Sequence, residues 1–183
     1  FYTDVLQELQ KARRFIFVEY FIISKGILWD SILKILEQKA KEGVEVRILY
    51  DGMNSFSNLP HDYPKELEEK GIRCRIFNPI RPAISTSQNN RDHRKILVID
   101  GHTAYTGGVN LADEYINRKV RFGHWKDNAI RLKGEAVRNF TVMFLQMWDV
   151  CAKKPDSDFD YSPYLDTGDY FHSPELDMDG FSI

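Results

Sequence analysis

The residues best able to do chemistry lie between Arg91 and Asn110. They follow the pattern H-x-K-x4-D-x6-G-G-x-N, on His93, Lys95, Asp100, Gly107, Gly108 and Asn110. An imidazole can attack phosphorus or supply a proton. An ammonium is a point charge for phosphate oxygens, and a carboxamide is a neutral donor. Glycines let the backbone approach an anion closely. This set suits phosphoryl chemistry, and Arg91, two residues before His93, is a further candidate cation for it.

Two strands must position these groups. Residues 96–99 are a short apolar run of strand character. Side chains alternate along a strand, so His93 and Lys95 should share a face. Asp100-Gly101 is a turn signal, and residues 103–106 would run back beside the first strand. The hairpin then delivers Gly107, Gly108 and Asn110 to the end that carries His93. Asp100 belongs to the motif, but at the turn it reads as a lock on the hairpin more than a substrate contact.

In the form R-x-H-R-K-I-x-V-I-D-G followed by T-G-G-x-N, the stretch resembles the HKD motif of the phospholipase D superfamily. The resemblance is to bacterial cardiolipin synthases and covers residues 1–150. It implies a three-layer α/β sandwich, a mixed sheet with helices on both faces. It also implies phosphatidyl transfer through a phosphohistidine, with neither metal nor other cofactor. By resemblance His93 is the nucleophile, and Lys95 and Asn110 hold phosphate oxygens beside Gly107 and Gly108. The resemblance further implies that Trp125-Lys126-Asp127 is a W-x-D whose carboxylate hydrogen-bonds the catalytic imidazole. A nucleophilic histidine does need its other ring nitrogen held by an acceptor.

Family members carry two such motifs, whereas one H-x-K-x4-D occurs here. The expected partners are therefore an anionic phospholipid, phosphatidylglycerol, and a second HKD half, from the parent chain or from a homodimer mate. Nucleic acid is not obligatory. Two rivals are a phospholipase D-like endonuclease working as a homodimer and a non-catalytic half-domain that binds anionic lipid. The expected location is the cytoplasmic face of the cell membrane, through segments outside these residues.

Composition agrees with a single globular unit. The 183 residues are 43% hydrophobic and 28% charged, enough for one packed core. The net charge of −2 hides an asymmetry: residues 151–183 carry −6, so the body carries +4. A basic body suits an anionic substrate. We therefore divide the chain into a domain, 1–150, and an acidic connecting tail, 151–183, that leads towards a second half. The start at Phe1 and the end at Ile183 read as those of a piece of a longer protein. The tail aromatics Phe159, Tyr161, Tyr164, Tyr170 and Phe171 should pack on something. Cys74 and Cys151 form no metal or redox pattern, and a disulfide is not expected.

The remaining elements alternate. Residues 4–14 read as a helix and 15–23 as a strand buried on both faces. Glu19 is the exception within that strand, either half of an ion pair or a group of the site. An amphipathic helix over 28–42 stops at Gly43, and a strand follows over 44–50. Asp51-Gly52 then opens a loop containing Ser55 and Ser57. A helix over 63–70 and a strand over 72–77 complete two parallel crossovers. No Gly-rich loop follows these strands, which excludes a dinucleotide-binding reading. Residues 78–90 form a polar loop that feeds into His93 and is a candidate lid. A helical turn over 111–116, a strand over 124–132 and a helix over 134–150 end the body. The last helix should bury Ala136, Val137, Phe140, Met143, Phe144, Met147 and Trp148.

Overall fold

Strand β1, Phe15–Tyr20, is the centre of the protein, and all six of its residues are buried. Its side chains alternate between two cores. Ile16, Val18 and Tyr20 face one core, and Phe15 and Phe17 face the other. Only a strand covered on both faces shows this pattern. The computed structural model describes residues 1–53, 58–80, 89–152 and 160–166. Ser55, Ser57, loop residues 81–88 and the tail aromatics Phe159, Tyr170 and Phe171 lie outside them.

Six strands form one mixed sheet in the order β3-β2-β1-β4-β5-β6. β2, Glu45–Asp51, and β3, Arg73–Phe77, run parallel to β1. β4, Lys95–Ile99, pairs antiparallel with β1, with Tyr20 opposite Lys95. β5, Thr103–Gly107, and β6, Ala129–Lys133, continue antiparallel. Helices α1 (Tyr2–Gln10), α2 (Ile27–Lys41) and α3 (Tyr63–Glu69) supply the first core's Val5, Leu9, Leu28, Ile32, Leu36 and Leu67. Helix α4 (Val137–Val150) supplies Val137, Phe144, Leu145 and Trp148 to the second, where Tyr161 and Tyr164, before and within the tail helix α5 (Ser162–Leu165), also pack. The expected α/β sandwich with helices on both faces is the fold observed. No described helix is long and apolar enough to cross a membrane.

Three of the boundaries that differ from the sequence reading have a clear local reason. Helix α1 ends at Gln10 instead of continuing to Arg14, because the Arg13 and Arg14 amides donate to the Asp100 carboxylate, both at 2.8 Å. Strand β6 starts at Ala129 instead of His124, because β5 ends at Gly107, opposite Ala129, and offers no earlier partner. Helix α4 starts at Val137, since Gly134 (φ +90°) turns the chain and donates to the His102 carbonyl. Its buried face is Val137, Thr141, Phe144, Leu145 and Trp148, with Met143 left exposed.

Candidate active site

The ends of five strands define the site. β1 and β2 point their carboxyl ends to it, β5 ends there, and β4 and β6 begin there. Strand order reverses on either side of β1, which opens a crevice beyond the strand ends, the usual place for a ligand in such sheets. β4 begins only at Lys95. Beyond it the extensions of β1 and β5 meet: Leu111 donates to the Ile22 carbonyl, and Ser24 to the Leu111 carbonyl. His93 and Lys95 enter where these two segments converge.

His93 is exposed and Lys95 is buried. Lys95 Nζ lies 2.6 Å from the His93 carbonyl and 3.0 Å from His93 Nδ1. The Phe21 ring packs against the imidazole at 4.6 Å between centroids, with Lys95 Nζ 5.4 Å above the Phe21 ring. Burial pushes the Lys95 ammonium below its ordinary range, opposed by the charges of Asp92 and Asp127. An ammonium has no acceptor, so Nδ1 accepts from it and the ring proton sits on Nε2. The expected pairing of His93 with Lys95 is therefore present, as a direct contact.

Other expected contacts are not made in this structure. Asp127 makes no hydrogen bond to the imidazole: its Oδ1 accepts from the Asn128 amide at 2.8 Å. Its carboxylate lies against Gly108, where an added Cβ would sit 2.1 Å from Asp127 Oδ1. The Gly108 amide donates to the Asn128 carbonyl at 3.0 Å and is not free for phosphate. A Cβ on Gly107 would sit 2.4 Å from that same carbonyl. Gly107 thus admits the Asn128-Ala129 backbone, and Gly108 admits the Asp127 carboxylate. Asn110 is buried, accepting from the Ile22 amide at 3.0 Å and donating to Tyr115 Oη at 2.8 Å. A carboxamide has two N–H groups, which leaves Asn110 one donor for substrate.

Asp100 lies away from His93 and Lys95. It stands at the opposite end of β4, where its carboxylate accepts from the amides of Arg13, Arg14 and Phe15 at 2.8, 2.8 and 2.9 Å. The hairpin turn is nearby, with Asp100 (φ +55°) and Gly101 (φ +69°) both left-handed. The carboxylate, however, fastens the α1–β1 junction as much as the turn.

Arg91 and Glu19 belong to a polar layer below the site. Arg91 bridges Asp51 (3.3 Å) and the Asn78 carbonyl (3.0 Å). Asp51, missed as a site residue by sequence reasoning, accepts from the Asp92 and Met53 amides, both at 2.8 Å. It is the joint between the loops that follow β2 and β3 and the start of the HKD run. The only signal for it was Asp51-Gly52 at a strand's carboxyl end. Glu19 is fully buried beside the Arg94 guanidinium, which also faces Asp92. Burial first, and the Asp92 charge second, push the Glu19 carboxyl up to about 9, outweighing Arg94. One cation cannot neutralise two buried carboxylates, which favours the protonated form of Glu19.

Sequence reasoning also missed Asp113, which accepts from the amides of Ile27 (2.9 Å) and Leu28 (2.8 Å) and so caps α2 from a distant segment. A second H-x-K spacing does occur, at His124 and Lys126, but Arg131 stands where the motif needs Asp. Both residues are exposed and precede β6.

The fold and this strand-end crevice are those of an α/β domain of the phospholipase D type. Residues 5–148 match the family described as the cardiolipin synthase, PLD-like domain. The chain belongs to that family. It is 53% identical over 182 residues to an uncharacterized Streptococcus mutans protein, covering 100% of this chain and 38% of that one. It is 43% identical over 148 residues to a cardiolipin synthase of Alkalihalophilus pseudofirmus, covering 80% and 29%. The chain therefore spans roughly a third of the length of these relatives. Among solved structures, a phospholipase D family member, Nuc, from Salmonella typhimurium superposes with a TM-score of 0.63 at 18% identity, over 84% of this chain and 90% of that one. At that identity the likeness concerns the fold alone.

Proposed function

We propose that this domain is one half of a phosphatidyltransferase site that makes cardiolipin from two molecules of phosphatidylglycerol. His93 Nε2 attacks the phosphorus of the first lipid, and the bond from phosphorus to the headgroup glycerol oxygen breaks. A second protonatable group, from another HKD half, gives that oxygen its proton. The headgroup hydroxyl of the second lipid then attacks phosphorus and returns its proton to that second group. The N–P bond breaks, and cardiolipin and free His93 result. The contact of Lys95 with His93 is the observation that carries this reading: charge for the phosphate and nucleophile for the phosphorus are already side by side.

Attack through Nε2 requires the ring proton on Nδ1. Arrival of a phosphate draws the Lys95 ammonium onto its oxygens and frees Nδ1 for an acceptor. Asp127 is the carboxylate proposed for that post, since its charge already reaches Lys95. A carboxylate there fixes the tautomer and stabilises the imidazolium. The family relationship and the match to cardiolipin synthases support the choice of lipid. We also place the reaction at the cytoplasmic face of the membrane.

The test is acid-free quenching of the protein during turnover of phosphatidylglycerol, followed by peptide mass spectrometry. A phosphatidyl adduct on His93 is expected, together with activity that depends on the presence of a second HKD half. Cardiolipin formation with the adduct on another residue, or with none, would overturn the assignment.

A further inference from the structure

Between the 3-10 turn Asp113–Ile116 and β6 runs a loop closed at its base by one residue pair. Asn117 Nδ2 donates to the Trp125 carbonyl at 2.9 Å, and the Trp125 amide donates to Asn117 Oδ1 at 2.8 Å. Asn117 itself is left-handed (φ +56°), which turns the chain outward. Tyr115 packs edge-on against Trp125 at 4.7 Å, and its hydroxyl accepts from Asn110 Nδ2 at 2.8 Å. The loop base is thus tied to a residue of the site.

The tip between those anchors is unlike the rest of the surface. Val120 is 84% exposed and Phe122 80%, the most exposed large apolar side chains among the described residues. They alternate with Arg118, Lys119 and Arg121, and Lys126 follows; residues 117–126 contain no acid. Arg121 is partly engaged, 3.3 Å from Glu114 and over the Phe122 ring. Lys119 and Arg121 also line a cleft of about 440 Å³ with Phe21, whose ring touches His93, and with the half-exposed Met53. The tip therefore borders an opening whose Phe21 wall packs against His93.

We propose that residues 117–126 dock this domain on an anionic lipid bilayer. Val120 and Phe122 enter the acyl boundary, and Arg118, Lys119 and Arg121 lie among lipid phosphates, with the cleft facing the membrane. Exposed aliphatic and aromatic side chains gain from hydrocarbon and gain nothing along a nucleic-acid backbone. Each basic side chain near an anionic surface raises partitioning about fivefold. The orientation rests on the proposed lipid substrate; the docking itself does not require turnover.

The experiment measures co-sedimentation of the protein with phosphatidylcholine vesicles containing or lacking phosphatidylglycerol. Wild type should bind the anionic vesicles, less so as salt rises. Val120→Ser with Phe122→Ser should weaken binding at least tenfold without changing the melting temperature, as should Arg118→Gln with Lys119→Gln. A Phe122→Trp indole should be quenched by brominated acyl chains. Undiminished binding of the Ser double variant, an unquenched indole, or no vesicle binding by wild type would overturn the proposal. So would equal loss of duplex DNA binding in the Gln variant with vesicle binding intact, which would assign the loop to nucleic acid. Binding through the loop by a protein that makes no cardiolipin would keep the docking surface and overturn the transfer reaction alone.

Discussion

The two ends of strand β4 carry the same motif and use it in opposite ways. At one end Asp100 is saturated: three backbone amides converge on one buried carboxylate. At the other His93 is exposed, Asp127 is exposed, and Asn110 keeps one donor in reserve. A polar group whose bonds are all spent on backbone holds the fold. One whose capacity is left over can meet a ligand. The contrast shows why membership of a motif does not by itself assign a role.

The sharpest way to break that comparison is to remove each end in turn. His93→Ala should lower phosphatidyl transfer by about three orders of magnitude or more, with an unchanged melting curve. Asp100→Ala should do the reverse. Losing three charge-assisted bonds should cost about 3–5 kcal/mol of stability in denaturant unfolding. A stable, inactive Asp100→Ala protein would return Asp100 to the catalytic set.

Next in size is Asp127→Asn, which keeps shape and removes charge. A fall of about a hundredfold in kcat is expected, with unaltered unfolding. Wild-type turnover would leave Asp127 the role it has in the free structure, seated against Gly108.

The last effect, on stability alone, belongs to Glu19, in the polar layer that is neither end. Its carboxyl is raised from 4.5 to about 9 in the fold, mainly by burial. The folded protein therefore holds a proton that the unfolded chain releases above its own pKa. Stability from this group is full below about 4.5, falls as pH rises, and is gone above about 9. Melting temperatures of wild type should decline across that window more steeply than those of Glu19→Gln. Parallel curves would mean that Glu19 titrates normally, as the anion partner of Arg94.

Much of this protein is legible in its sequence. Alternating and continuous apolar runs set the strands, since burial demands a period, and Asp100-Gly101 set the hairpin, since few residues accept two left-handed positions. Spacing alone brought His93 and Lys95 to one face. Their direct contact, and the proton position it imposes on the imidazole, were decided by packing against Phe21. The uses of Asp100, Gly108, Asp113 and Asp51 were also decided there, because each acts on a segment far away in the chain. A sequence shows which atoms can donate and accept; the tertiary fold chooses the partners, because only there do desolvated groups compete for the same few bonds.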